Sequence, residues 1–193
     1  RVYSTGMSNG GFMSYQLACE LSDRIAAIAS VTGSMNMGWF NSCNPNHPIP
    51  IMEIHGTADG NVPYATIPSI MDFWTNFNNC DNTPIITNVP DINTNDSCTA
   101  EHQIWENGNN GSTVEHYKII GGEHSWPGAL FPNGVTNQDI DASEKIWEFF
   151  SKYDINGLIS PTSISNITTD KLPNLIKIVD VLGRVISPKP NTP

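Results

Sequence analysis

The stretch that most constrains this chain is its first twenty-one residues, RVYSTGMSNGGFMSYQLACEL. A short β-branched and aromatic run, Val2 and Tyr3, leads into Gly6-Met7-Ser8-Asn9-Gly10-Gly11. Apolar residues at helical spacing follow: Phe12, Met13, Tyr15, Leu17, Ala18 and Leu21. Strand, glycine-bracketed serine and helix form the context that a nucleophile elbow needs. So tight a turn requires small flanking residues, which Gly6 and Gly10 supply. Ser8 is then expected at strained backbone angles with its hydroxyl above the sheet edge. The helix behind it would aim N-terminal amides at negative charge developing there. The plainer alternative is a glycine-rich βα turn with an ordinary serine, so residues downstream must decide.

The rest of the chain alternates strand and helix patterns. Ile25–Val31 is small and apolar throughout, as in a parallel strand covered on both faces. Pro50–His55 reads as the next strand and Ile67–Asn78 as a helix, with Pro68 in its first turn. Residues 79–98 read as loop. Ala100–Glu106 and Thr113–Ile120 read as two strands of a hairpin, and Gly121–Val135 as irregular. Gln138–Tyr153 reads as an amphipathic helix with Ile140, Ile146, Trp147, Phe149 and Phe150 on its apolar stripe and Asp139 or Asp141 as cap. This order predicts an α/β layer fold with a mostly parallel sheet and flanking helices. Composition changes at Asp154: 154–170 reads as a linker, and 171–193 as a short β-type tail built on Leu175–Gly183 and Val185-Ile186. Because the chain enters a strand at its first residue without an initiator Met, the reading is of a fragment, with an edge bared at Val2–Thr5.

Net charge is −10, concentrated in residues 1–150, where 16 acidic residues face 4 basic ones. No basic patch exists to follow phosphates, so nucleic acid is not expected as a partner. No apolar run is long enough for a transmembrane helix. Four cysteines, Cys19, Cys43, Cys80 and Cys98, show no metal spacing. Their even number and wide spacing suit two disulfides in an exported protein, Cys19 with Cys43 and Cys80 with Cys98. Four buried free thiols are the alternative.

A serine hydroxyl needs a histidine to take its proton and a carboxylate to orient that histidine. Asp59, in His55-Gly-Thr-Ala-Asp59-Gly, follows a buried strand by four residues. His124, in Gly121-Gly-Glu-His124-Ser-Trp-Pro-Gly128, follows the Val114–Ile120 strand directly. The order Ser, Asp, His is that of α/β-hydrolases. Alternatives for each are an Asx turn at Asp59 and a surface histidine at 124. Glu53 lies inside a strand and Asp72 on a helix face, so both compete poorly. His55 reads as a packing or hydrogen-bonding histidine near the Asp59 loop, His47 as a loop residue, and His102 and His116 as solvent-facing strand residues. No cofactor or metal is expected. Trp126, beside the base, could wall a subsite or simply pack.

Arg1-Val-Tyr-Ser-Thr-Gly-Met-Ser-Asn-Gly-Gly-Phe-Met, Leu17-Ala-Cys-Glu, Ile54-His-Gly-Thr-Ala-Asp59 with Val62-Pro-Tyr64, and Gly121-Gly-Glu-His124-Ser-Trp-Pro-Gly128 resemble the polyhydroxybutyrate depolymerase-like esterase family. That family also holds feruloyl and acetylxylan esterases, and the resemblance covers residues 1–153. It implies the C-terminal half of an α/β-hydrolase with an acyl-enzyme mechanism. Ser8 would be nucleophile, Asp59 orienting carboxylate, His124 base and the Asn9 amide one oxyanion donor. The second donor would belong to an earlier segment. Met7 and Trp126 are the expected substrate-binding residues, and the substrate an ester, in a polyester or on plant polysaccharide. Glu123 departs from the family, which more often has a third glycine there. The tail from Ile164 to Pro193 is similar to the start of type IX secretion sorting domains, which implies that secretion machinery as a partner and a secreted or cell-surface location. Two other readings are a prolyl-oligopeptidase-type serine peptidase and a non-catalytic surface-displayed binding module.

Overall fold

The computed structural model describes residues 1–159 except 37, 39 and 41, together with the backbone at 178–179 and 185–186. The chain divides into two units, 1–159 and 160–193. The first is built on a six-stranded sheet in the order β1-β2-β3-β6-β5-β4. Its strands are β1 (Tyr3–Met7), β2 (Ala27–Val31), β3 (Ile51–Gly56), β4 (Ile85–Asn88), β5 (Thr99–Trp105) and β6 (Val114–Ile120). β1, β2, β3 and β6 run parallel, β5 reverses against β6, and β4 reverses against β5. This is a mostly parallel α/β sheet, as the alternation of patterns predicts.

Helices cover both faces. Helices α1 (Asn9–Glu20) and α2 (Ile67–Asn78) pack on one, where Tyr15, Ala18, Ile67, Ile70, Met71 and Trp74 meet Ile28 and Ile51. Helix α3 (Ala142–Ser151) packs on the other, where Ile146, Phe149 and Phe150 meet Ala29, Met52 and Ile54. β2 and β3 are buried along their whole length, which is why their sequences carry no polar alternation. The buried side of α1 is Gly11, Ser14, Tyr15 and Ala18, one stripe at helical spacing.

Several expectations need correction. The 79–98 segment contains β4, an edge strand exposed at all four positions. Helix α3 begins at Ala142, after Asp141, whose carboxylate accepts from the amides of Ser143 and Glu144. Asp139 instead accepts from the amides of Ile92 and Asn93 and pins that loop. Trp147, placed on the apolar stripe, is 66% exposed. Residues 154–159 belong to the first unit: β7 (Tyr153–Asp154) and β8 (Gly157–Leu158) pair antiparallel, and the Ile159 amide donates to the Lys152 carbonyl. In the second unit, β9 (Ile178–Val179) pairs antiparallel with β10 (Val185–Ile186). The 160–170 linker and the remaining tail expectations lie outside the described residues.

Cys19 and Cys43 form a disulfide with Cα atoms 4.8 Å apart, joining α1 to the loop before β3. The expected Cys80–Cys98 bridge does not form. Both are buried free thiols, Cys80 in the core under α2 and Cys98 in the core under α3, so the two cores on opposite sheet faces keep them apart. Burial raises both thiols to about 11.

Candidate active site

Ser8 is the residue between β1 and α1. It has φ 55° and ψ −118°, a conformation costly for a non-glycine residue. Its amide donates to the Val31 carbonyl of β2 and its carbonyl accepts from Phe12, so backbone bonds from both neighbours hold the turn. A Cβ on Gly6 would stand 2.8 Å from the Gly10 Cα, whereas one on Gly10 would meet nothing within 4 Å. The steric demand of the turn therefore falls on Gly6. Ser8 is half-buried and its hydroxyl makes no capping bond. Asn9 opens α1, and amides of a first helical turn have no partner within the helix.

Asp59 and His124 stand on the turns after β3 and β6, which are neighbours in the sheet. The two turns are tied by two backbone bonds, Thr57 N to Ile119 O and Ala58 N to Gly122 O, and by the Gly121 amide donating to the Thr57 hydroxyl Oγ1. Gly56 permits this approach, since a Cβ there would lie 2.2 Å from the Gly122 oxygen. Asp59 is buried and its oxygens divide the work. Oδ1 accepts from the amides of Asn61 and Val62, both at 2.8 Å. Oδ2 lies 2.8 Å from His124 Nδ1 and 3.4 Å from His55 Nε2. Burial pushes the Asp59 carboxyl up, but the Val62 amide, the His124 ring and the Asn61 amide outweigh it, and its pKa falls below the ordinary value. With Nδ1 bonded to a carboxylate, the His124 ring has fixed orientation and a free Nε2.

A cleft of about 270 Å³ opens on His124 between the 58–61 turn and residues 133–134. Glu123 stands on its rim and accepts from the Val135 amide at 3.0 Å. Ser8 belongs to the same C-terminal edge of the sheet, two strands away from the Asp59 turn, a backbone separation of roughly 10 Å. Met7 and Trp126 do not line this cleft. Met7 ends β1, and Trp126 packs against the core under α3 and donates from Nε1 to Ser143 Oγ at 3.2 Å.

Behind Asp59 lies a buried polar cluster that the sequence does not announce. Glu53 Oε2 accepts from the Tyr15 hydroxyl at 2.8 Å, and Glu53 Oε1 is 2.9 Å from His55 Nδ1. His116, expected at the solvent, is buried. Its Nδ1 donates to the Glu53 carbonyl at 3.0 Å, and its Nε2 accepts from the Tyr64 hydroxyl at 3.1 Å. Burial depresses His116 to about 3 and raises Tyr64 to about 12, so both are neutral across the usual range. His116 is buried because β6 pairs with β3 as well as with β5 and is an interior strand of the sheet. His102, half-buried, bonds to Glu115 at 2.9 Å, and the His47 ring bonds the Ser22 and Pro48 carbonyls. Among the described residues, no group of three or more His, Cys, Asp or Glu could hold a metal ion, and no helix is long and apolar enough to cross a membrane.

No family model matches the chain. Curated relatives do. The chain is 31% identical over 152 residues to feruloyl esterase D of Neurospora crassa, covering 79% of this chain and 48% of that protein. It is 27% identical over 161 residues to a bifunctional acetylxylan esterase/xylanase of Neocallimastix patriciarum, covering 83% of this chain and 21% of that one. Over a shorter span of 66 residues, a third of this chain and 12% of the relative, it is 38% identical to feruloyl esterase B of Piromyces equi. The chain thus spans less than half the length of each of these proteins. Its similarity at this modest identity is to proteins named as esterases, and it extends over most of the first unit.

Proposed function

We propose that the protein is a serine carboxylic ester hydrolase of the α/β-hydrolase fold. The observation that carries this reading is the Asp59–His124 contact at 2.8 Å, which leaves His124 Nε2 free on the sheet edge that also bears Ser8 at its strained turn. In the proposed reaction Ser8 Oγ attacks the acyl carbon while its proton passes to His124 Nε2. The oxyanion is met by the Asn9 amide at the start of α1. His124 then gives the proton to the departing alcohol, and water releases the acyl group by the same steps in reverse order. Asp59 keeps the ring in one tautomer and stabilises the imidazolium. The names of the relatives favour feruloyl esters or acetyl groups on xylan as substrates. Polyhydroxybutyrate is the comparison substrate. The Cys19–Cys43 disulfide supports an exported protein.

The test uses the intact protein with p-nitrophenyl acetate, methyl ferulate, acetylated xylan and polyhydroxybutyrate. Ser8→Ala should lower kcat by about a thousandfold or more, and Ser8 should carry the label after fluorophosphonate treatment. Undiminished turnover in Ser8→Ala would defeat the reading.

A further inference from the structure

His55 and Glu53 are both fully buried, two residues apart on β3. Each His55 ring nitrogen faces an acceptor. Nε2 lies 2.9 Å from the Val62 carbonyl and 3.4 Å from Asp59 Oδ2. A backbone carbonyl can only accept, so Nε2 carries a hydrogen. Nδ1 lies 2.9 Å from Glu53 Oε1. One proton must occupy that contact, and it belongs either to the ring or to Glu53. The Tyr15 hydroxyl donates to the other Glu53 oxygen, a bond that favours the carboxylate and so the proton on the ring.

From this geometry we infer that His55 is an imidazolium, clamped between Glu53 and Asp59, that acts as a positioning residue for the Asp59–His124 pair. The inference rests on the ester-hydrolase reading for its kinetic consequence, though not for the protonation state itself. Burial works against a charged ring, but Glu53, the Val62 carbonyl and Asp59 outweigh it and His55 titrates above the ordinary histidine value. Burial leaves the Glu53 carboxyl above its ordinary value, although its contacts with His55, Ser30 and Tyr15 oppose that rise.

The surroundings add little competing charge. Tyr15 from α1 is held protonated, by burial first and then by Glu53. From β6, His116 is neutral, and Lys118, the register partner of His55, reaches toward Glu101 at 4.0 Å. Tyr64 meets the His55 ring edge-on at 6.0 Å between centroids. On the remaining side is Asp59, with His124 beyond it. The Glu53–His55 pair is neutral as a whole, with its positive end toward Asp59. That end favours an ionised Asp59.

Two measurements test this. In the intact wild-type protein, ¹⁵N shifts of selectively labelled histidine should show both His55 nitrogens protonated at pH 7. Glu53→Gln preserves size and both side-chain bonds, because its amide can donate to Nδ1 while its carbonyl accepts from Tyr15. In that variant His55 should become neutral. The acid limb of kcat/KM should then move upward by about half a pH unit or more, and kcat should fall about tenfold at pH 7 with KM unchanged. One unprotonated His55 nitrogen in the wild type overturns the inference, as does a Glu53→Gln profile superimposable on the wild type. If Ser8→Ala keeps full turnover, the hydrolase reading fails instead, and the ¹⁵N result still decides the state of His55.

Discussion

At the residue scale, the elbow shows how unequal two similar glycines can be. Gly6 and Gly10 look interchangeable in sequence, yet only a Cβ at Gly6 collides with backbone. Gly6→Ala should therefore lower stability by about 1–3 kcal/mol, while Gly10→Ala, inside α1, should be neutral or stabilising by up to about 1 kcal/mol. Urea unfolding of the two variants checks the contrast. Ser8, Asp59 and His124 were legible as candidates because turn glycines and strand ends mark them directly. Glu53, Tyr15 and His55 were not legible as a cluster, because their meeting depends on α1 laying Tyr15 across β3. His55 does precede Gly56 in the motif, and that proximity was the available signal. Thr32, a β-branched residue at φ 48° just after β2, carries no sequence mark of its strain.

At the scale of elements, long patterned segments were read well and short or two-sided ones poorly. α2 lies where its apolar spacing puts it, Ile67–Asn78. β4 was missed because four exposed residues, Ile-Ile-Thr-Asn, offer no burial pattern, and only pairing with β5 makes them a strand. Cysteine count alone could not place Cys80 and Cys98, because it does not say which sheet face a residue occupies. The Cys19–Cys43 bridge closes a loop of sequence separation 24. Replacing both residues by Ser should lower unfolding free energy by about 3 kcal/mol. Equilibrium unfolding under non-reducing conditions, compared with wild type, measures this directly.

For the whole molecule, burial of a neutral histidine sets a dependence on acid. His116 titrates at about 3 in the folded chain against an ordinary value of 6.5. The unfolded chain therefore binds the extra proton across that window, and stability contributed by His116 is complete above about pH 6.5 and is lost as pH falls toward 3. His116→Gln should flatten this decline, whatever its effect at pH 7. Chemical denaturation at a series of pH values gives the slope for each protein.

The two parts of the proposed machinery are attached to the molecule differently. Asp59 and His124 ride on adjoining strands whose turns are laced together, so they move as one piece. Ser8 is carried by β1, with β2 standing between as a spacer whose five side chains are all buried. The gap between the two parts is thus gauged by the backbone hydrogen bonds on either side of a single strand, Ala27-Ile-Ala-Ser-Val31, a spacing of about 4.8 Å for each pairing. Because that width belongs to the backbone, side chains of the spacer can be exchanged without retuning the reach between hydroxyl and imidazole, as a shim sets the opening of a vice whatever its finish.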